Sequence, residues 1–104
     1  MKGDLNTNMK PEKINLICSK RLKKYLSITE KALKIAHDSV NPEKRNEAKE
    51  ILVMVEAYLS DAHHFEKKGN WVNAFAAINY AHGWLDCGAR LRIFLVSDNR
   101  LFTV

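Results

Sequence analysis

Residues 57–96, AYLSDAHHFEKKGNWVNAFAAINYAHGWLDCGARLRIFLV, decide the fold. Gly69 readily supplies the left-handed backbone that closes a helix, and the Asn70 side chain can cap the helix that follows. A connection this short forces its two flanking helices to lie antiparallel and adjacent. The stretch is therefore a helical hairpin, and its second arm is unusually apolar.

Working back from the turn, Ala48, Ile51, Leu52, Val55, Leu59, Ala62 and Phe65 recur at helical steps on one face. They predict a helix over residues 42–68, opened by an Asn41 cap and by Pro42 at the first position, where a missing N–H costs nothing. Glu43, Glu47 and Glu50 near its start and Lys67 and Lys68 near its end suit the helix dipole. Upstream, Ile14, Ile17, Cys18, Leu22, Tyr25, Leu26, Thr29, Leu33 and Ala36 predict an earlier helix over residues 12–37. Residues 1–11 lack a hydrophobic period and are expected to be a tail, disordered unless a partner orders it. The expectation is an all-α, up-and-down three-helix bundle over residues 12–97, with a C-terminal tail over residues 98–104.

The third helix, expected over residues 71–96, carries more apolar surface than two neighbours require. At about 100° per residue, Trp71, Phe75, Ile78, Leu85 and Ala89 form one stripe, and Ala77, Ala81, Trp84, Gly88, Leu91 and Leu95 a second beside it. Tyr80, Cys87 and Phe94 extend the apolar arc further. These three, with Leu101 and Phe102 in the tail, form the candidate interaction surface.

The chain of 104 residues fits one domain, and 46% apolar with 28% charged residues places it among ordinary soluble globular proteins. Its net charge of +5 is concentrated. Residues 10–34 hold eight lysines and arginines against Glu12 and Glu30, leaving the rest nearly neutral. Lys20, Arg21, Lys23, Lys24, Lys31 and Lys34 make a candidate basic face, suited to phosphate, nucleic acid or an acidic protein, although solvated lysine faces are common. Two distant cysteines, Cys18 and Cys87, have no metal-ligand spacing, and no stretch resembles a signal peptide or a membrane span. A reduced, cytoplasmic protein without cofactor or metal is expected.

Tyr58, Asp61-Ala62, Phe65, Lys68-Gly69-Asn70, Ala74, Ala76-Ala77, Tyr80-Ala81, Gly83-Trp84-Leu85-Asp86, Gly88 and Arg90-Leu91 together resemble the archaeal family of domains of unknown function numbered 357. The resemblance spans roughly residues 20–96 and is most specific in the Tyr-Ala-x-Gly-Trp-Leu-Asp segment. It implies a small three-helix bundle from an archaeon and no established activity. His82, inside that segment, departs from the pattern.

The candidate polar cluster is Asp61 and His64 on the second helix with His82 and Asp86 on the third. In an antiparallel hairpin Asp61 lies about one turn from His82, and side chains lean toward their own N-terminus, bringing the two together. A histidine between carboxylates serves as a metal ligand, a general base or a hydrogen-bonded core residue. The last, as an Asp61–His82 or His82–Asp86 pair, is the expectation. His63 and His64 diverge by about 100° and cannot chelate together.

Two further classes are disfavoured. A helical nuclease with histidine a few residues after arginine finds no such spacing at Arg21, Arg45, Arg90, Arg92 or Arg100. A tetratricopeptide array would need a second copy of the hairpin about 34 residues away, and none is present. The expected function is a non-catalytic interaction module using the third helix, associating with itself or with a protein partner. The alternatives are nucleic-acid or phosphate binding through the basic face, and a small-ligand or enzymatic site at Asp61, His82 and Asp86.

Overall fold

The computed structural model describes residues 18–102. Three helices, α1 (Ser19–His37), α2 (Arg45–Lys67) and α3 (Trp71–Arg90), pack together, and a 3₁₀ turn at Pro42–Lys44 leads into α2. The all-α three-helix architecture is as expected, and no strand occurs among the described residues. The predicted N-terminal tail and the first turns of the predicted first helix, residues 12–17, lie outside them.

Each helix forms because one face can be buried. Leu22, Leu26, Thr29, Ala32 and Ala36 line α1; Ala48, Ile51, Val55, Leu59 and Ala62 line α2. On α3 the buried residues are mostly small, Ala74, Ala77, Ala81, Gly88 and Ala89, with Ile78 and Leu85. Small side chains let neighbouring backbones come close, and α3 packs extensively against α2 and also against α1, whereas α1 and α2 touch little. Between those two, His37 meets Glu56 and His63 meets Glu30, each at 3.0 Å.

α2 and α3 end in the same way. After α2, Gly69 takes φ +74°, its N–H reaches Glu66 O at 3.0 Å, and Asn70 N–H reaches Phe65 O at 2.9 Å. After α3, Arg92 takes φ +59°, its N–H reaches Ala89 O at 3.1 Å, and Ile93 N–H reaches Gly88 O at 2.8 Å. Both are Schellman turns, which recapture carbonyls that a helix end would leave unpaired. The second one corrects the expected boundary: α3 stops at Arg90, six residues before 96.

The α1–α2 connection explains why the chain turns there. Asn41 donates its backbone N–H to Ile93 O and its side-chain N–H to Arg92 O, both at 2.9 Å, and Lys44 Nζ donates to Leu91 O at 2.9 Å. Leu95 N–H in turn donates to Ser39 O at 2.7 Å, flanking an isolated antiparallel bridge between Val40 and Phe94. The carbonyls released where α3 ends are thus paired by the loop beside it.

This early stop relocates the end of the chain. Phe94 leaves the helical wheel and turns inward to 1% exposure, and Phe102 is buried at 2%, with Leu101 half-buried next to it. Three of the five residues expected on an outer surface therefore pack against the chain's own core. Asp98 sets the last turn by accepting Arg100 N–H at 2.8 Å and Leu101 N–H at 3.3 Å. The Arg100 N–H is the main reason the Asp98 carboxyl sits below its usual range; the Leu101 N–H and the Arg100 guanidinium add to it against an opposing desolvation.

Candidate functional site

The polar cluster separates into two parts. His82 on α3 faces α1 rather than α2, its Nδ1 lying 3.1 Å from Thr29 Oγ1 and its Nε2 2.8 Å from Leu101 O. A carbonyl only accepts, so Nε2 carries the hydrogen. In the neutral ring Nδ1 is then the acceptor, and the Thr29 hydroxyl donates to it. Asp86, one turn along α3, lies 3.7 Å from Nε2. Asp61 and His64 are exposed on α2, and the His64 ring stands edge-on to Phe65 instead. The expected Asp61–His82 approach is not made, and His82 comes within 3.7 Å of Asp86 while its hydrogen bonds go to Thr29 and Leu101.

His82 therefore joins α1, α3 and the C-terminal turn. Thr29 is 2% exposed, and its partnered hydroxyl shows why a polar residue is tolerated there. Sequence spacing could not identify the two partners, because Thr29 reads as an ordinary core position and the second acceptor is a backbone carbonyl. Beside His82 runs a groove of about 410 Å³ between α1 and α3, lined by Tyr25, Ile28, Asn79, Gly83 and Arg100 among others. No group of three or more histidine, cysteine or acidic side chains able to hold a metal ion occurs among the described residues.

A second groove, also about 410 Å³, lies on the other flank of α3 and is lined by Tyr58, Asn79, Tyr80, Gly83, Trp84 and Cys87. Tyr58 from α2 stacks on Tyr80, ring centres 5.3 Å apart and planes 16° apart. Tyr80 is 63% exposed and Trp84 37%, so Trp84 is not the core residue its stripe suggested. Cys87 is exposed with a free thiol. Asn79 and Gly83 border both grooves, which makes the outer face of α3 a ridge between them.

A Cβ built on Gly83 meets nothing within 4 Å. Glycine in mid-helix costs roughly 1 kcal/mol relative to alanine, and packing within the chain gives no reason for it here. Sequence reading passed over Gly83 and Tyr58 as groove-forming residues. Their signal was a glycine at an exposed helical position amid aromatic residues.

All six residues of the candidate basic face, Lys20, Arg21, Lys23, Lys24, Lys31 and Lys34, are exposed on α1. Glu30, the acidic residue of this helix, turns away toward His63 of α2. No helix among the described residues is long and apolar enough to cross a membrane.

Comparison with known proteins places these features in a family. The family described as "Protein of unknown function (DUF357)" matches residues 24–94, from the first turns of α1 through the buried Phe94. Neither the curated proteins nor the solved structures yielded a match. The match takes in both Schellman turns and the ridge of α3, while the Asp98–Phe102 turn that receives His82 lies beyond it. With well over half of its length matched, the chain belongs to the DUF357 family.

Proposed function

We propose that the chain is a non-catalytic interaction module that pairs with a second copy of itself through the outer face of α3. One observation supports this above the others: Val72, Ala76, Asn79, Tyr80, Gly83, Trp84 and Cys87 are all exposed, and none is charged. An ordinary surface helix turns charged side chains outward, and one that is uncharged all round is normally covered. On α3 the formally charged residues are Asp86, beside His82, and Arg90 at the C-terminal end.

Gly83 at the centre of this face favours a helix as the occupant, since the missing side chain lets another backbone approach closely. A two-fold axis at Gly83 relating antiparallel copies of α3 would bring Asn79 of one level with Cys87 of the other, with Tyr80 and Trp84 on the flank. Such an interface is self-complementary, as two-fold pairing requires. Sedimentation velocity over a wide concentration range tests it. Mass action predicts a monomer–dimer shift for the native chain and its loss in Tyr80→Glu, a change at an exposed position. A strict monomer at every concentration would overturn the proposal.

A further inference from the structure

We infer that the outward face of α1 is a binding surface for the phosphate backbone of a nucleic acid. At about 100° per residue, Lys20, Lys23, Lys24, Lys31 and Lys34 fall within an arc of about 100°, while Arg21 lies about 60° beyond it toward the buried side. From Lys20 to Lys34 the stripe runs about 21 Å at 1.5 Å per residue. All six side chains are exposed, and the five lysines lie opposite the buried Leu22, Leu26, Thr29, Ala32 and Ala36.

Two features separate this stripe from an ordinary solvated face. Such faces usually mix signs, whereas the arc of the α1 lysines holds besides them only Ser27, with Glu30 about 20° outside it. Glu30 is engaged by His63 at 3.0 Å, and among the described residues no carboxylate makes an ion pair with the six basic side chains. Lys20 lies three and four residues before Lys23 and Lys24, and Lys31 three before Lys34, spacings at which like charges repel. The second feature is position. Lys20, Arg21, Lys23 and Lys24 occupy the N-terminal half of α1, whose first turn holds no acidic residue, so the dipole adds to their repulsion. The fold derives nothing from this arrangement, whereas a polyanion laid along it would neutralise every term.

The geometry also selects the class of polyanion. A row of point charges about 21 Å long suits a polymer of regularly spaced phosphates better than a single small anion. An anionic bilayer is disfavoured because the apolar side of α1 is buried in the bundle and nothing on the stripe can enter the acyl boundary. Lysines contact phosphates without reading bases, so the binding is insensitive to sequence and sensitive to salt.

The test is fluorescence anisotropy of the full chain with a labelled DNA duplex, an RNA duplex and a single-stranded RNA, repeated at several salt concentrations. For about five phosphate contacts the logarithm of affinity falls with the logarithm of salt at a slope of about −4.5 on duplex DNA, a loss of roughly five-hundredfold between 50 and 200 mM. The preferred probe identifies the source of the phosphates. Lys24→Glu/Lys31→Glu is expected to reduce the slope by about two and affinity at least about tenfold. Lys49→Glu/Lys67→Glu, on exposed positions of α2, makes the same change in net charge and is expected to have little effect. Thermal melts of both variants verify folding. Equal losses in the two variants, or no salt-dependent binding to any of the three probes, would overturn the inference.

Discussion

The ring of Phe94 lies on the backbone of Gly88, where any Cβ would overlap its Cδ2 and Cε2 atoms. This contact holds the chain against α3 after the helix ends, and it needs both the absent side chain and the large ring. Gly88→Ala should therefore destabilise the bundle by about 1–3 kcal/mol through overpacking, despite alanine's better helix propensity. Phe94→Ala should cost about 3–5 kcal/mol as a cavity. Urea unfolding monitored by circular dichroism measures both.

The paired Schellman turns give opposite predictions for two substitutions. Gly69→Ala places a Cβ at φ +74° and should destabilise by about 1–2 kcal/mol, since nothing else crowds the site. Arg92→Gly relieves the same strain at φ +59°, and its expected effect is a gain of up to about 1 kcal/mol. Thermal melts of the two variants should shift in opposite directions.

That contrast shows what the sequence could reveal. The turn at Gly69 was legible because glycine marks a left-handed cap, and the apolar faces of α1 and α2 were legible by their spacing. The turn at Arg92 was not, because an arginine gives no such signal and apolar residues continue through Leu91, Ile93, Phe94 and Leu95 as though the helix did. What ends α3 is tertiary: Asn41 and Lys44, some fifty residues earlier, supply the donors for its released carbonyls. The misplacement of Phe94, Leu101 and Phe102 on an outer surface follows from that one boundary. His82 was legible as an anomaly among apolar neighbours, but its orientation toward Thr29 depended on the rotation of α3 within the bundle. The exposed face of α3 was read at Tyr80 and Cys87 and missed at Gly83 and Trp84.

Removing His82 should affect the bundle and the tail together. His82→Ala leaves the buried Thr29 hydroxyl and the Leu101 carbonyl without their partner, an expected loss of about 1–3 kcal/mol. Thr29→Val should be milder, because the Nε2–H donation to the Leu101 carbonyl remains. Limited proteolysis should cut after Arg100 faster in His82→Ala than in Thr29→Val.

Acid should loosen the same turn. The folded Asp98 carboxyl lies below its ordinary range, so its contribution is fully present above the unfolded value of about 3.9 and is lost as pH falls through the lower folded value. The Arg100 and Leu101 amide resonances should move together with a midpoint below about 3.9. Asp98→Asn should abolish that transition.

Gly83→Leu tests the central claim most directly, because it separates folding from association. Its side chain enters open space at the ridge of α3, where leucine is a better helix former than glycine. Sedimentation velocity should show the dimer lost, and thermal melting at a dilution where the native chain is also monomeric should show a melting temperature unchanged or raised. Association as strong as that of the native chain, in a variant that folds normally, would contradict pairing through this face.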